Sequence, residues 1–218
     1  MNESVQSKWF GFYSRTSNIK NIAEDILFHA ALFKAVISTR PQSILEVGIG
    51  KGSMSIILGS LGFQVTGVDN DESLVRLASK RIQNTYLCRR VTFAVADGFH
   101  LGDFFSGNPL FDCCFSQGLL EHFSDEEIRR LLNEQLRVAR VAIFSVPSVF
   151  FPFQEFGNER LLSSEEWEGI LQGYNIRASK YYGRLLSFDV GLRHMMRKKK
   201  ITFAYMNKFT NILIKIER

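Results

Sequence analysis

The chain has 218 residues, of which 45% are hydrophobic and 22% charged, with four prolines and 16 glycines. That suffices for one domain of ordinary size with a real core, and it excludes general disorder because the net charge is only +5. The longest stretches without a charged side chain, residues 52–68 and 141–154, are interrupted by glycines or prolines and do not read as membrane spans.

The start of the chain, MNESVQSKWF, lacks the basic flank and apolar run of a secretory signal. Three cysteines, two of them adjacent (Cys113 and Cys114), argue against a disulfide framework. The expected setting is reduced and cytoplasmic. Charge is uneven: from Ile176 onward eleven Lys and Arg stand against Asp189 and Glu217, whereas residues 1–175 are net acidic. The run Arg197–Lys200 reads first as a solvated surface segment. Its alternative is a docking surface for nucleic acid or another acidic partner.

In chain order, residues 18–38 place apolar side chains at helical spacing, ending before Pro41. Residues 43–47 form a short β-rich run stopped by Gly48, Gly50 and Gly52. A helix over 53–61, a strand over 63–68 ending at Asp69, and a helix over 71–84 follow. Further strands are expected over 91–95, 110–115 and 138–146, with a helix over 124–137 before the last of these. After Pro147 a Phe-rich segment leads to a helix opened by Ser163, and to late strands over 175–182 and 210–216. Alternating helices and strands, several of the strands apolar on both faces, predict a doubly wound α/β fold with a parallel sheet. The loops after the strands then gather along one edge, where such sheets bind ligands.

The run Glu46-Val47-Gly48-Ile49-Gly50-Lys51-Gly52 carries the most information. Alternating glycines between a strand and a helix admit backbone angles closed to other residues and let a ligand approach the main chain. The dinucleotide fingerprint G-x-G-x-x-G fits poorly, since Ser53 stands at its third glycine position. A phosphate-binding P-loop fits poorly too, because Gly50-Lys51 is followed by Gly52.

The pattern E-x-G-x-G-x-G resembles that of the class I S-adenosylmethionine-dependent methyltransferases, over about residues 40–150. That resemblance implies a Rossmann-like, seven-stranded, mostly parallel sheet with an antiparallel last strand. It divides the chain into an N-terminal helix and lid (1–40), a cofactor-binding core (41–150) and an acceptor-side segment (151–218). It implies S-adenosylmethionine as cofactor, with Gly48, Gly50 and Gly52 under its methionine and sugar and Glu46 bracing the loop. Asp69 would hold the ribose hydroxyls, Asn70 or Phe99 the adenine face, and Ala96-Asp97 the adenine edge. Gln117 and Gly118 would meet the methionine moiety. Any one Asp after a strand can be a helix cap; three acids after three successive strands, in register with a glycine loop, are harder to dismiss.

Methyl transfer to oxygen also needs a base, and His122 in Leu119-Leu120-Glu121-His122-Phe123 has suitable chemistry. The Glu-His pair resembles that of ubiquinone-biosynthesis O-methyltransferases. The acid that completes a metal site there is Gln117 here, so no metal is expected. His122 can equally cap the next helix and pack the cofactor pocket. Tyr13, Phe151, Phe153 and Arg160 are the candidate acceptor contacts, from the two aromatic segments expected to flank the transfer site. The expected activity is methylation of a small-molecule acceptor at oxygen. The alternatives are an RNA or protein methyltransferase docking through the basic C-terminal quarter, and a non-catalytic cofactor-binding module.

Overall fold

A computed structural model describes residues 26–107, 111–151, 154, 157–185 and 209–218. Helix α1 (Ala30–Ser38) leads into β1 (Ser43–Val47), followed by α2 (Ser53–Ser60), β2 (Gln64–Asp69), α3 (Glu72–Ile82) and β3 (Val91–Val95). A short α4 (Leu101–Phe104), β4 (Cys113–Gln117), α5 (Asp125–Val138) and β5 (Val141–Pro147) continue the alternation. Helix α6 (Ser164–Ile170) precedes β6 (Asn175–Leu185) and β7 (Phe209–Glu217).

The seven strands form one sheet in the order β3-β2-β1-β4-β5-β7-β6. Strands β1 to β5 pair in parallel, and β7 is antiparallel to both β5 and β6. The central strands are buried on both faces, which is why they read as continuous apolar runs. One layer of core packs α1 and α2 on the sheet around Leu32, Ile44, Leu58 and Phe115. The opposite layer packs α5 and α6 around Leu132, Phe144, Trp167 and Ile214. Among the described residues no helix is long and apolar enough to cross a membrane.

Local chemistry fixes where the helices begin. Asp71 Oδ1 accepts from the Ser73 and Leu74 N–H groups at the start of α3. Ser124 and Glu127 form a capping box on α5, and Ser163 and Glu166 form another on α6.

Among the boundaries that differ from the sequence expectation, two have a clear physical reason. The fourth strand runs to Gln117 rather than ending at Phe115, because Ser116 and Gln117, although polar, pair with Phe144 and Ser145 of β5. The fifth begins at Val141 rather than at residue 138, since Val138 still closes α5. Only the last part of the helix expected over 18–38 falls among the described residues, as do Phe150 and Phe151 of the aromatic segments. Trp9, Phe10, Phe12, Tyr13, Phe153, Phe156 and the run Arg197–Lys200 lie outside them.

Candidate active site

Sheet order places β1 between β2 and β4. The chain winds from β1 toward β3 on one side and through β4 and β5 on the other, so a crevice opens at the carboxyl ends of these strands. A cavity of about 290 Å³ lies there.

The glycine loop forms its floor. Gly48, Gly50 and Gly52 all have positive φ, and at Gly52 (φ +73°) a Cβ would come within 2.8 Å of Ala78 Cβ and 2.9 Å of Phe93 Cζ. Gly48 and Gly50 line the cavity, whereas Gly52 turns the chain into α2 and packs against α3 and β3. Glu46 lies beneath the loop, 2% exposed. Its Oε2 accepts from the Ser55 N–H at 2.9 Å and from the Ser55 hydroxyl, joining β1 to the first turn of α2. Burial, partly offset by these bonds, pushes its pKa up to about 8.

Asp69, at the end of β2, faces the cavity. The Gly50 N–H donates to its Oδ2 at 3.3 Å and the Asp71 N–H to its Oδ1 at 3.0 Å. Burial raises its pKa against those two bonds. Asn70 and Asp71 adjoin it on the cavity wall. Ala96 and Asp97 follow β3 and also line the cavity. Asp97 Oδ1 accepts from the Phe99 N–H at 2.9 Å, and its Oδ2 lies 3.1 Å from His100 Nδ1. The carboxylate that the resemblance assigns to adenine is thus also the cap of a short 3₁₀ turn. Phe99 lines the cavity and meets Phe123 edge to face, ring centroids 5.4 Å apart.

Gly118 and His122 close the side nearest β4. Gln117, the last residue of that strand, is not among the lining residues. His122 Nδ1 lies 2.9 Å from Asn158 Oδ1, so with the amide oxygen as acceptor the ring carries its proton on Nδ1. Burial lowers the His122 pKa, with the Asn158 bond and the nearby Glu159 opposing, which leaves the ring neutral at pH 7. Arg160 does not line the cavity: its guanidinium pairs with Asp125 at 2.6 Å and donates to the Phe123 carbonyl at 2.9 Å. Phe151 is not among the lining residues either. Among the described residues no group of three or more His, Cys, Asp or Glu could hold a metal ion.

Leu119, Phe123, Leu131 and Asn158 line the cavity without having been singled out as ligand contacts of the cofactor. Leu131 arrives from α5, and only its place on the inward face of that helix signals it.

A cavity lined both by Asp69, Asp71 and Asp97 and by Leu74, Phe99, Leu119, Phe123 and Leu131 matches a ligand that joins a polar sugar to a flat base. The strand order, the antiparallel β7 and this crevice define a class I methyltransferase fold. Residues 44–141 match the family model described as a methyltransferase domain.

Protein-L-isoaspartate O-methyltransferase of Xylella fastidiosa (strain M12) is 41% identical over 54 residues, 25% of this chain and 26% of that one. Demethylmenaquinone methyltransferase of Clavibacter sepedonicus is 29% identical over 143 residues, 63% of this chain and 55% of that one. The chain therefore spans about a quarter and about half of the length of these curated relatives. Magnesium protoporphyrin IX methyltransferase from Synechocystis PCC 6803, crystallised with bound S-adenosylmethionine, superposes with a TM-score of 0.62 at 18% identity, covering 100% of this chain and 92% of that one. That likeness fixes the fold. The family's cofactor is S-adenosylmethionine, and the residues present fit it: backbone without side chains at Gly48 and Gly50, and a carboxylate at Asp69 that can accept two hydroxyls.

Proposed function

We propose that this protein transfers a methyl group from S-adenosylmethionine to the oxygen of a small-molecule acceptor. The observation that carries this reading is the cavity itself, where Asp69, Asp97, the glycine loop and His122 converge. Bound there, S-adenosylmethionine supplies a methyl group already activated on a sulfonium sulfur. The chain's part is then to hold donor and acceptor in line, exclude water and take one proton.

In this reading Asp69 accepts the two ribose hydroxyls. Asn70, Ala96, Asp97 and Phe99 surround the base, and Gly48, Gly50 and Gly118 admit the methionine end. Glu46 braces the loop through Ser55. Gln117, beside Gly118, is the second-nearest candidate for the methionine end. His122, neutral and with Nδ1 committed to Asn158, is the base that accepts the acceptor's hydroxyl proton at Nε2. Tyr13, Phe151 and Phe153 belong to the acceptor side by their place in the chain. Arg160, tied to Asp125 and Phe123, supports that side from behind. We infer a cytoplasmic setting from the three free cysteines, Cys88, Cys113 and Cys114.

The test follows release of S-adenosylhomocysteine with a panel of phenols, catechols and carboxylic acids. An acceptor in the panel should give turnover that His122→Ala lowers by about 10²-fold while cofactor affinity persists, the usual yield of general-base catalysis. Equal turnover by wild type and His122→Ala would exclude His122 as the base.

A further inference from the structure

Next to His122 lies a carboxyl group that the reading above leaves unused. Glu121 is 3% exposed, and among the described residues its Oε2 has no hydrogen-bond partner. A buried carboxyl oxygen without a partner forgoes hydration for nothing in the resting fold, so it calls for an explanation. Its other oxygen, Oε1, stands 4.0 Å from His122 Nε2, the ring nitrogen not bonded to Asn158. The same carboxylate backs onto Gly118, whose missing Cβ would lie 3.6 Å from Oε1, and Gly118 lines the cavity. Glu121 therefore sits one layer behind the part of the cavity wall that Gly118 and His122 form, with Oε1 near His122 Nε2.

We propose that Glu121 is a positioning residue for His122, the counter-charge that makes its imidazolium affordable when it takes a proton from the acceptor. This rests on the methyl-transfer reading and deepens it. Asn158 fixes the proton on Nδ1, so Nε2 carries the lone pair. In the transfer step the acceptor oxygen forms its bond to the methyl carbon as the carbon–sulfur bond breaks. The electron pair of that bond stays on sulfur, which becomes a neutral thioether, and the hydroxyl proton passes to His122 Nε2. The ring is then cationic, and Glu121, ionised once the pH passes about 8, is the anion within ion-pair distance. At 4.0 Å this is no hydrogen bond, but catalytic contacts of this sort tighten when substrate is bound.

The groups that face Glu121 set its own charge. His122 adjoins it in the 3₁₀ turn, and it is electrostatically coupled to Glu159, in the segment before α6, and to Tyr182 of β6. Burial pushes its pKa up to about 8, with Glu159 adding to the rise and its own backbone N–H opposing. The pair then gains its base form as pH rises through that region, and titrates as a coupled unit.

The experiment is an NMR titration of the full chain with histidine rings isotopically labelled, free and with S-adenosylhomocysteine, His122 being assigned by comparison with His122→Gln. In wild type the His122 ring signals should show a second inflection near pH 8 as Glu121 ionises. Glu121→Gln should abolish it, and Glu121→Asp should keep it at a displaced pH. With any acceptor found for the enzyme, Glu121→Gln should lower kcat by at least about tenfold and shift its ascending pH limb, leaving the KM for the cofactor within about twofold. Titration curves of His122 that superimpose in wild type and Glu121→Gln would overturn the proposal, and would mark Glu121 as structural if only thermal stability changed. The titration is read in the free protein as well, so a failure to bind S-adenosylhomocysteine counts against the methyl-transfer reading and not against the pairing.

Discussion

His29 stands at the N-terminal end of α1 with its Nδ1 3.2 Å from Tyr182 Oη, and that hydroxyl also bonds Ser145 Oγ. The three side chains tie the first helix to β6 and β5 through a buried polar chain in an otherwise apolar layer. Burial lowers the His29 pKa to about 4, so the ring is held neutral. The unfolded chain, with an ordinary histidine, binds more protons than the folded one between about pH 6.5 and 4. Stability should accordingly fall as pH drops through that window and level off below it, by about 3 kcal/mol from this residue at most. Glu46 and Glu121 act in the opposite sense. Their folded pKa values near 8 exceed the unfolded ones, so what they contribute is greatest in acid and is lost as pH rises through about 8. The comparison that isolates His29 is urea unfolding of wild type and His29→Gln at pH 7 and near pH 4.5. The variant should lose less stability between the two pH values, and equal losses would show that His29 is not held neutral.

At the scale of the elements, the glycine loop joins β1 to α2 under two constraints. Gly52 needs a left-handed backbone, and a Cβ added there would crowd Ala78 and Phe93. Gly52→Ala should therefore destabilise the fold by roughly 1–3 kcal/mol in denaturant unfolding, through strain and overpacking together. A loss below about 0.5 kcal/mol would mean that the loop is free to move away from α3 and β3. The same elements show what the residue pattern reveals and what it hides. β1, β2 and β3 are legible because apolar runs end at glycine or aspartate. β4 is read short because Ser116 and Gln117 look like loop residues, yet sit between β1 and β5 at the centre of the sheet. The boundary between α5 and β5 is blurred because Val138, Ala139 and Val141 are apolar on both sides of Arg140. The 3₁₀ turns at Tyr86–Arg89 and Gly98–His100 are too short to show a period. Within the site, the acids announce themselves by following strands. Phe123, Leu131 and Asn158 do not, because tertiary packing alone brings them to the cavity.

Over the whole molecule, one arrangement accounts for the placement of the site. Parallel strands wound in two directions from β1 leave their loops on one edge, and the antiparallel β7, with β6 at the edge beyond it, completes the sheet on the far side of β5. The carboxyl ends of β2 and β3 supply carboxylates, that of β1 the glycine loop, and β4 with its following turn supplies Gly118 and His122. In the proposed reading, groups from both halves of the sheet meet at the crevice, with His122 supplied by the turn after β4. The central claim is that this crevice holds S-adenosylmethionine with Asp69 on its ribose. Calorimetric titration of the full chain with S-adenosylhomocysteine tests it most directly, alongside Asp69→Asn checked for unchanged thermal stability. The account predicts saturable one-site binding to wild type, weakened at least about tenfold in the variant, the scale expected when hydrogen bonds to a charged group are lost. Absence of binding heat and of any thermal shift with wild type, or equal affinity in the variant, would contradict it.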